Sequence, residues 1–365
     1  MYRAIRYSDG LKQFLDHARW VAAFAVCAAH LRNLLFPDAS DAGHLNAVSK
    51  GFYFVTLFGT QAVVVFFVIS GLLVGSAALT RVIEGRFVPK EYAVARLTRL
   101  YIVLIPAIIL SLALQTFGMA VKCSAADNSL TVAGNALFLQ NMLVEPICNN
   151  HPLWSLSNEA IYYLAAPLIF IAFLKPGPLS VVAAAAVALV AASVSLDLSN
   201  LSIAFGALLW AAGLLPLFVR LRVSFLLPFG GFLLVLLASR VNIIASLYLR
   251  DVLLALTFAL TLSARFPDWK RDGLPAKAGY NLAGFSFSLY LVHMPLAQAI
   301  ALFVGEQSLL PNDILSYAIY GVSLLVILLI AKLFGLVFER QTDALRDIIL
   351  RRPAKAEHPT PHHPL

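Results

Sequence analysis

Stretches of about 20 mostly apolar residues, the length an α-helix needs to cross a bilayer, recur along nearly the whole chain. They lie near 14–36, 55–80, 97–117, 153–173, 179–196, 201–219, 223–239, 246–264, 282–304 and 313–338. Polar punctuation separates them, such as KPGP at 175–178 and RFPDWKRDGLPAK at 265–277. Of the 365 residues, 60% are hydrophobic and 13% are charged, where a soluble domain has roughly 45–50% and about 25%. Too little polar surface exists to cover a soluble fold. The expected fold is all-α, a polytopic integral membrane bundle of about ten helices, with residues 1–340 as the transmembrane domain. Residues 341–365 read as a short, basic, Pro- and His-rich tail. The first apolar run is too long and too broken by charge for a cleaved signal, and no lipidation motif stands out.

Placing the N-terminus in the cytoplasm puts 20 Lys and Arg residues on that side against 5 on the other, namely Arg32, Lys50, Lys122, Arg240 and Arg250. The positive-inside rule then sets both termini in the cytoplasm, and an even number of spans requires the same. The +8 net charge is topological charge of this kind, so nucleic acid is not an expected partner. The largest outer loop, about 118–152, holds Cys123 and Cys148. Facing an oxidising compartment, as they would in a bacterial inner membrane, they form a disulfide or stay as two thiols, and the sequence leaves both open. Cys27 in the first span reads as packing. Zinc-type spacing is absent and no metal is expected. His362 and His363 belong to a tail expected to be disordered, and no internal repeat is evident.

Ionisable residues at membrane depth are costly and mark either a functional path or a structural pair. Residues 15–30, LDHARWVAAFAVCAAH, place Asp16, Arg19 and His30 in the first span. Arg19 and His30 are eleven residues apart, about three helical turns, so they share a face and differ in depth by roughly 16 Å. Asp16 lies one turn before Arg19, within pairing distance. Such a stripe must face protein or a water-filled cavity; a salt bridge plus a hydrogen-bonded histidine satisfies that as well as a functional path does. Arg96 and Arg99 share a face at the cytoplasmic start of the third span, where cations oppose the helix dipole. An anion held there with the helix amides accounts for their position, whereas topology accounts for their charge alone. In WSLSNE, residues 154–159, Glu159 is either a cap partner of Ser155 or Ser157 or a functional carboxylate. His293 sits in mid-span near Ser286, Ser288 and Tyr290, with Pro295 freeing a carbonyl one turn earlier.

Taken in order and at these spacings, the four stretches resemble the membrane acyltransferase-3 family. Asp16, Arg19 and His30 fit its Asp-x-x-Arg followed by a histidine, and FFVISGLL at 66–73 resembles its second-span signature. Arg96 and Arg99 match its Arg-x-x-Arg, WSLSNE its Trp-Ser-Leu-Ser-x-Glu, and SLYLVHMPL at 288–296 its Ser-Leu-Tyr-Leu-x-His-x-Pro. The similarity spans about residues 10–340. Where the family often has glycines in the first span, this chain has His17 and Trp20, the latter expected to reshape the cytoplasmic entrance; a second glutamate is replaced by Ala160. Some relatives carry a further outer domain, so this chain is expected to work alone or with a separate partner.

The resemblance implies a membrane O-acyltransferase that moves an acyl group, acetyl by family frequency, from cytoplasmic acyl-CoA to a hydroxyl of an exopolysaccharide, O-antigen or other glycan. Acyl-CoA is then a donor substrate, with no tightly bound cofactor; the other partners are a carbohydrate acceptor and the bilayer. In this reading Arg96 and Arg99 hold the CoA phosphates, Asp16 and Arg19 line the entry, and His30 is general base. Glu159 orients or polarises from the outer side, and His293 assists. Oligomeric state and acceptor identity are open. The alternative is a transporter or flippase of a glycan or lipid-linked intermediate, since charged stripes also mark transport paths. A non-catalytic scaffold leaves the intramembrane histidines unexplained.

Overall fold

The structure is a computed structural model and describes residues 7–121, 123, 127–175, 177, 182, 184, 201–240, 243–244, 246–269 and 273–351. The expected span at 179–196 and the tail beyond 351 lie outside these residues. The described chain is helical throughout, with no strand. The first half comprises α1 (Asp9–Leu35), α2 (Ala47–Val55), α3 (Gly59–Ser70), a π-helical turn (Gly71–Gly75), α4 (Ser76–Ile83), α5 (Pro89–Thr116) and α6 (Ser129–Ala136). A 3₁₀ turn (His151–Leu153) leads into α7 (Trp154–Leu174), followed by α8 (Leu201–Ala212), α9 (Leu215–Phe218), α10 (Leu226–Ala238) and α11 (Leu247–Leu262). Then come α12 (Leu274–Ala283), α13 (Ser286–Val304), α14 (Ile314–Val337), a second 3₁₀ turn (Glu339–Gln341) and α15 (Thr342–Ile349), the last lying against α5.

Five helical stretches among the described residues are long and apolar enough to cross a membrane: Ala47–Ile83, Pro89–Thr116, His151–Leu174, Ser286–Val304 and Ile314–Ile349. Two shorter apolar helices, Ile203–Phe218 and Leu226–Ala238, accompany them. This set is smaller than the ten spans drawn from the sequence, and α1 shows one reason. Its 27 residues would measure roughly 40 Å, so length is no obstacle; Asp16, Arg19, His30 and Arg32 lower its hydropathy instead. It packs against α3, α12, α13 and α14, so protein rather than lipid takes up its polar groups. The outer helices present the opposite character. Leu325, Leu329 and Leu333 of α14 and Ile105 and Ile109 of α5 are exposed, as a lipid-facing surface requires.

Local sequence explains where α1 begins and ends. Ser8 accepts a hydrogen bond from Leu11 N at 3.2 Å and Asp9 lies in the first turn, both favourable at a helix N-terminus. Phe36 is extended, as a residue before a proline must be. Small residues then allow close approach, as in other membrane bundles. A Cβ on Gly59 would stand 2.8 Å from the Cβ of Ala29, which presses the start of α3 onto α1.

The FFVISGLL stretch gains a physical meaning here. Its glycine opens the π-helical turn, where Ser76 Oγ and Tyr7 OH both donate to the Leu72 carbonyl. A Cβ on Gly71 would lie 1.8 Å from the Trp210 carbonyl oxygen, and one on Gly213 2.2 Å from that of Val68. The backbones of α3 and α8 therefore interlock. We expect Gly71→Val to destabilise the fold by about 1–3 kcal/mol through overpacking, seen as a lower unfolding temperature in detergent. Gly51→Val, where a Cβ meets nothing within 4 Å, should leave the transition in place.

Cys123 and Cys148 are joined in a disulfide across 25 residues, which answers the question the sequence left open. Hydrogen bonds tie the same loop to the end of α5: Gln115 Nε2 donates to Asp127 Oδ2 at 2.6 Å, and Asn149 Nδ2 to the Ser111 carbonyl at 2.9 Å. Closing a loop of this length stabilises by about 3 kcal/mol. The Cys123→Ser, Cys148→Ser protein should therefore unfold at a lower temperature than the oxidised parent, and reductant should lower the parent towards it.

Candidate functional site

Two histidines from different helices meet at the centre of the bundle. His30 Nδ1 on α1 and His293 Nε2 on α13 are 2.8 Å apart, with the ring planes within 4° of parallel. His293 is fully buried. Its Nδ1 lies 2.8 Å from the Tyr290 carbonyl and 3.1 Å from that of Leu289. Carbonyls only accept, so that nitrogen carries the proton; neutral His293 then accepts at Nε2, and His30 donates from Nδ1. This assignment leaves the lone pair of His30 Nε2 free. His151, the exposed first residue of the 3₁₀ turn before α7, lies within electrostatic reach of His30.

Prolines inside helices supply anchor points around this pair. Pro295 cannot bond the Leu291 carbonyl, and Asn150 Nδ2 donates to it at 2.9 Å. The second amide hydrogen of Asn150 reaches Ser111 Oγ at 3.2 Å. Pro167 likewise releases the Tyr163 carbonyl, which accepts from Tyr92 OH at 2.8 Å. Both of these gaps are filled by a side chain of another element, so neither carbonyl is left unsatisfied.

Glu159 lies in α7, whose start has no side-chain cap. Ser155 bonds the Tyr290 hydroxyl at 2.6 Å and Ser157 donates to the Gln140 carbonyl at 2.8 Å, so the capping reading of this stretch does not hold. Glu159 Oε1 instead accepts from Tyr163 OH at 2.5 Å. That hydroxyl accepts from Ser70 Oγ at 3.3 Å, and Ser70 accepts from Trp210 Nε1 at 3.0 Å. Three donors thus point in sequence towards one carboxylate, a polarised chain favoured at low local dielectric.

Arg19 lies on α1 and Arg96 and Arg99 on α5, and Arg99 is within repelling reach of each of the other two. Arg19 interacts with Arg99, Glu339, Asp16 and Tyr163, and Arg96 with Tyr163, Arg99, Tyr92 and Arg81. None of the three makes a hydrogen bond or ion pair among the described residues, and the buried Nε of Arg96 has no acceptor. Glu339 holds the neighbouring position: its Oε2 accepts from Ser288 N at 2.9 Å and Ser288 Oγ at 2.8 Å, capping the first turn of α13. One expectation is corrected. Arg96 and Arg99 are not at a helix N-terminus, because α5 begins at Pro89, two to three turns earlier. Proline fits the first helical position, and Glu91 suits the first turn. The amides beside the arginines are therefore already bonded, and an anion there is held by guanidiniums alone.

These contacts gather the sequence candidates into two groups along α1. Asp16, Arg19, Arg96 and Arg99 lie towards its N-terminal end, and His30 with His293 eleven or more residues further on. Glu159 and Tyr163 stand between, since Tyr163 reaches both Glu159 and the arginines, and Tyr290 feels the Glu159 charge. The sequence reading missed Tyr163, Glu339, Asn150 and His151. Of the departures in α1, His17 fills a notch over Gly279, while Trp20 packs on Phe24 with its Nε1 unpartnered. A hollow of about 450 Å³ lined by Ser8, Leu11, Arg220, Arg222, Arg265 and Phe266 lies off this string.

A helical bundle with an apolar exterior, and with histidine, carboxylate and arginine side chains brought together inside it, is the build of a membrane protein. The profile of the acyltransferase-3 family, described as an acyltransferase domain, matches residues 12–334. The chain belongs to the acyltransferase-3 family. Among curated proteins and among solved structures, no significant match is found.

Proposed function

We propose that this membrane acyltransferase moves an acetyl group from cytoplasmic acyl-CoA to a glycan hydroxyl presented at the opposite face of a bacterial inner membrane. The observation that carries the reading is the His30–His293 pair, whose tautomers leave a basic nitrogen free at one end of a string that starts at three unpaired guanidiniums. Arg96 and Arg99, with Arg19, bind the CoA phosphates by charge-assisted hydrogen bonds. Excess Lys and Arg on the loops at that end supports its cytoplasmic placement, and the Cys123–Cys148 disulfide supports an oxidising compartment at the other.

In the transfer step His30 Nε2 takes the acceptor hydroxyl proton as its oxygen attacks the thioester carbonyl. The C–S bond breaks, and the CoA thiolate receives the proton from the imidazolium. During this cycle His30 Nδ1 keeps donating to His293 Nε2, which stabilises the positive ring and fixes its direction. Glu159, aimed by Tyr163 OH, orients the reactants from the side. Asp16 shapes the entry next to Arg19.

The test uses purified protein in nanodiscs with labelled acetyl-CoA and a mixture of bacterial surface glycans. Release of CoA coupled to label on the glycan is the expected result. Movement of glycan across a sealed vesicle with no thioester consumed would select the transporter reading and reject this one.

A further inference from the structure

Three buried donors without acceptors meet at the end of the bundle opposite the CoA arginines. Arg32, on the last turn of α1, is 5% exposed, and its Nε has no hydrogen-bond partner. The Nε of Arg240, just past α10, and the Nε2 of Gln61, 2% exposed on α3, are likewise buried and unpartnered. Burying a donor without an acceptor costs about 1–3 kcal/mol, more where the group is charged. A fold that keeps three such groups together is complete only when an acceptor joins them.

The surroundings hold these groups in place and do not neutralise them. The Arg32 guanidinium stacks over the Tyr53 ring at 5.2 Å, and that of Arg240 over Phe58 at 5.2 Å while donating to Gln61 Oε1. Tyr53 and Phe58 flank the α2–α3 junction, so one short segment carries both stacks. Arg240 also lies within electrostatic reach of Arg32, Arg250 and Asp251. Arg250 is paired with Asp251 at 2.8 Å, so that carboxylate is engaged by Arg250 and acts on Arg240 only at longer range. Asp38 is within reach of Arg32 but is exposed and forms no ion pair with it among the described residues.

We propose that Arg32, Arg240 and Gln61 form a binding site for an oxyanion, carboxylate or phosphate, carried by the acceptor. This rests on the acyltransferase reading above, and it narrows the acceptor from any glycan to an anionic one. Geometry narrows it further. Arg32 is two residues beyond His30 and therefore turned roughly 200° around α1, so the oxyanion sits across the end of the helix from the imidazole. The helix with its side chains is roughly 10 Å wide, a span that calls for an oligomer and not a single sugar.

The experiment measures binding to the full-length protein in phosphatidylcholine nanodiscs by calorimetry, without acyl-CoA, so it reads the site even if transfer fails. Trigalacturonate should bind at least 10-fold more tightly than neutral galactotriose and than galacturonate monomer, with affinity falling as salt rises. Arg32→Gln and Arg240→Gln should each weaken trigalacturonate about 10-fold or more, whereas Arg86→Gln, an equal charge loss at an exposed position, should not. Gln61→Glu supplies the missing acceptor from within; it should abolish binding while raising the unfolding temperature, which separates loss of the site from loss of the fold. Equal binding of charged and neutral trimers, or full affinity in Arg240→Gln, would overturn the proposal. Saturable binding of short-chain phosphatidylglycerol, lost in Arg32→Gln and Arg240→Gln, with no response to the galacturonate would make this a lipid headgroup site and would overturn the acceptor assignment as well.

Discussion

Under the proposed function, replacing His30 by alanine should lower kcat for acetyl transfer by about 10²–10⁴-fold, the usual contribution of a general base, and leave the affinity for acyl-CoA unchanged. His293 donates from Nδ1 to two backbone carbonyls, so its Nε2 can only accept from His30 Nδ1, and His30 Nε2 is the nitrogen left for the proposed reaction. His293→Phe removes that acceptor and lets the His30 ring turn. We expect a loss of about 10–100-fold in kcat, corresponding to one hydrogen bond of about 1–3 kcal/mol. His293→Gln offers a carbonyl oxygen in its place and should recover much of that loss. A purely structural role for His293 predicts a different pattern, with Gln as damaging as Phe and both variants unfolding early. Steady-state kinetics together with thermal scans separates the two. Wild-type transfer in His30→Ala would remove the base.

Much of this site was legible because charge in an apolar run has few explanations. Asp16, Arg19 and His30 stood out for that reason, and their shared face follows from helical spacing alone. Pro295 announced a free carbonyl, but nothing in the sequence named Asn150 as its partner, because that residue comes from a distant loop. Tyr163 was missed since a tyrosine inside an apolar helix reads as packing; only coordinates show its hydroxyl between Ser70 and Glu159. Glu339 was missed because a carboxylate after a last span reads as solvated surface, whereas it folds back to cap α13. Arg96 and Arg99 stood out as well, but the start of α5 was drawn eight residues late, so the free amides expected beside them are already bonded within the helix. The span count suffers from the converse effect. A helix enclosed by protein can carry charge, so α1 falls below the apolarity that identifies the outer helices.

The second large effect concerns Arg96 and Arg99. Their double replacement by glutamine should raise the dissociation constant for CoA by about 10²-fold or more, since each charge-assisted bond is worth about 1.5–3 kcal/mol. Stability should move the other way. Arg99 repels both Arg19 and Arg96, with no ion pair among the described residues to offset it, so deleting Arg96 and Arg99 should relieve that repulsion in the unliganded protein. In wild type, CoA at 100 times its dissociation constant adds about 2.7 kcal/mol of stability by linkage. The double variant should therefore unfold at the same or a higher temperature without CoA, and gain little when CoA is added. Arg81→Gln and Arg86→Gln bracket the result, the first near Arg96 and the second remote from it. If the arginines only set topology, CoA would stabilise the double variant as fully as it does the parent, and binding would show no salt dependence. Opposite movement of stability and affinity is the signature of a site that holds like charges together for a ligand.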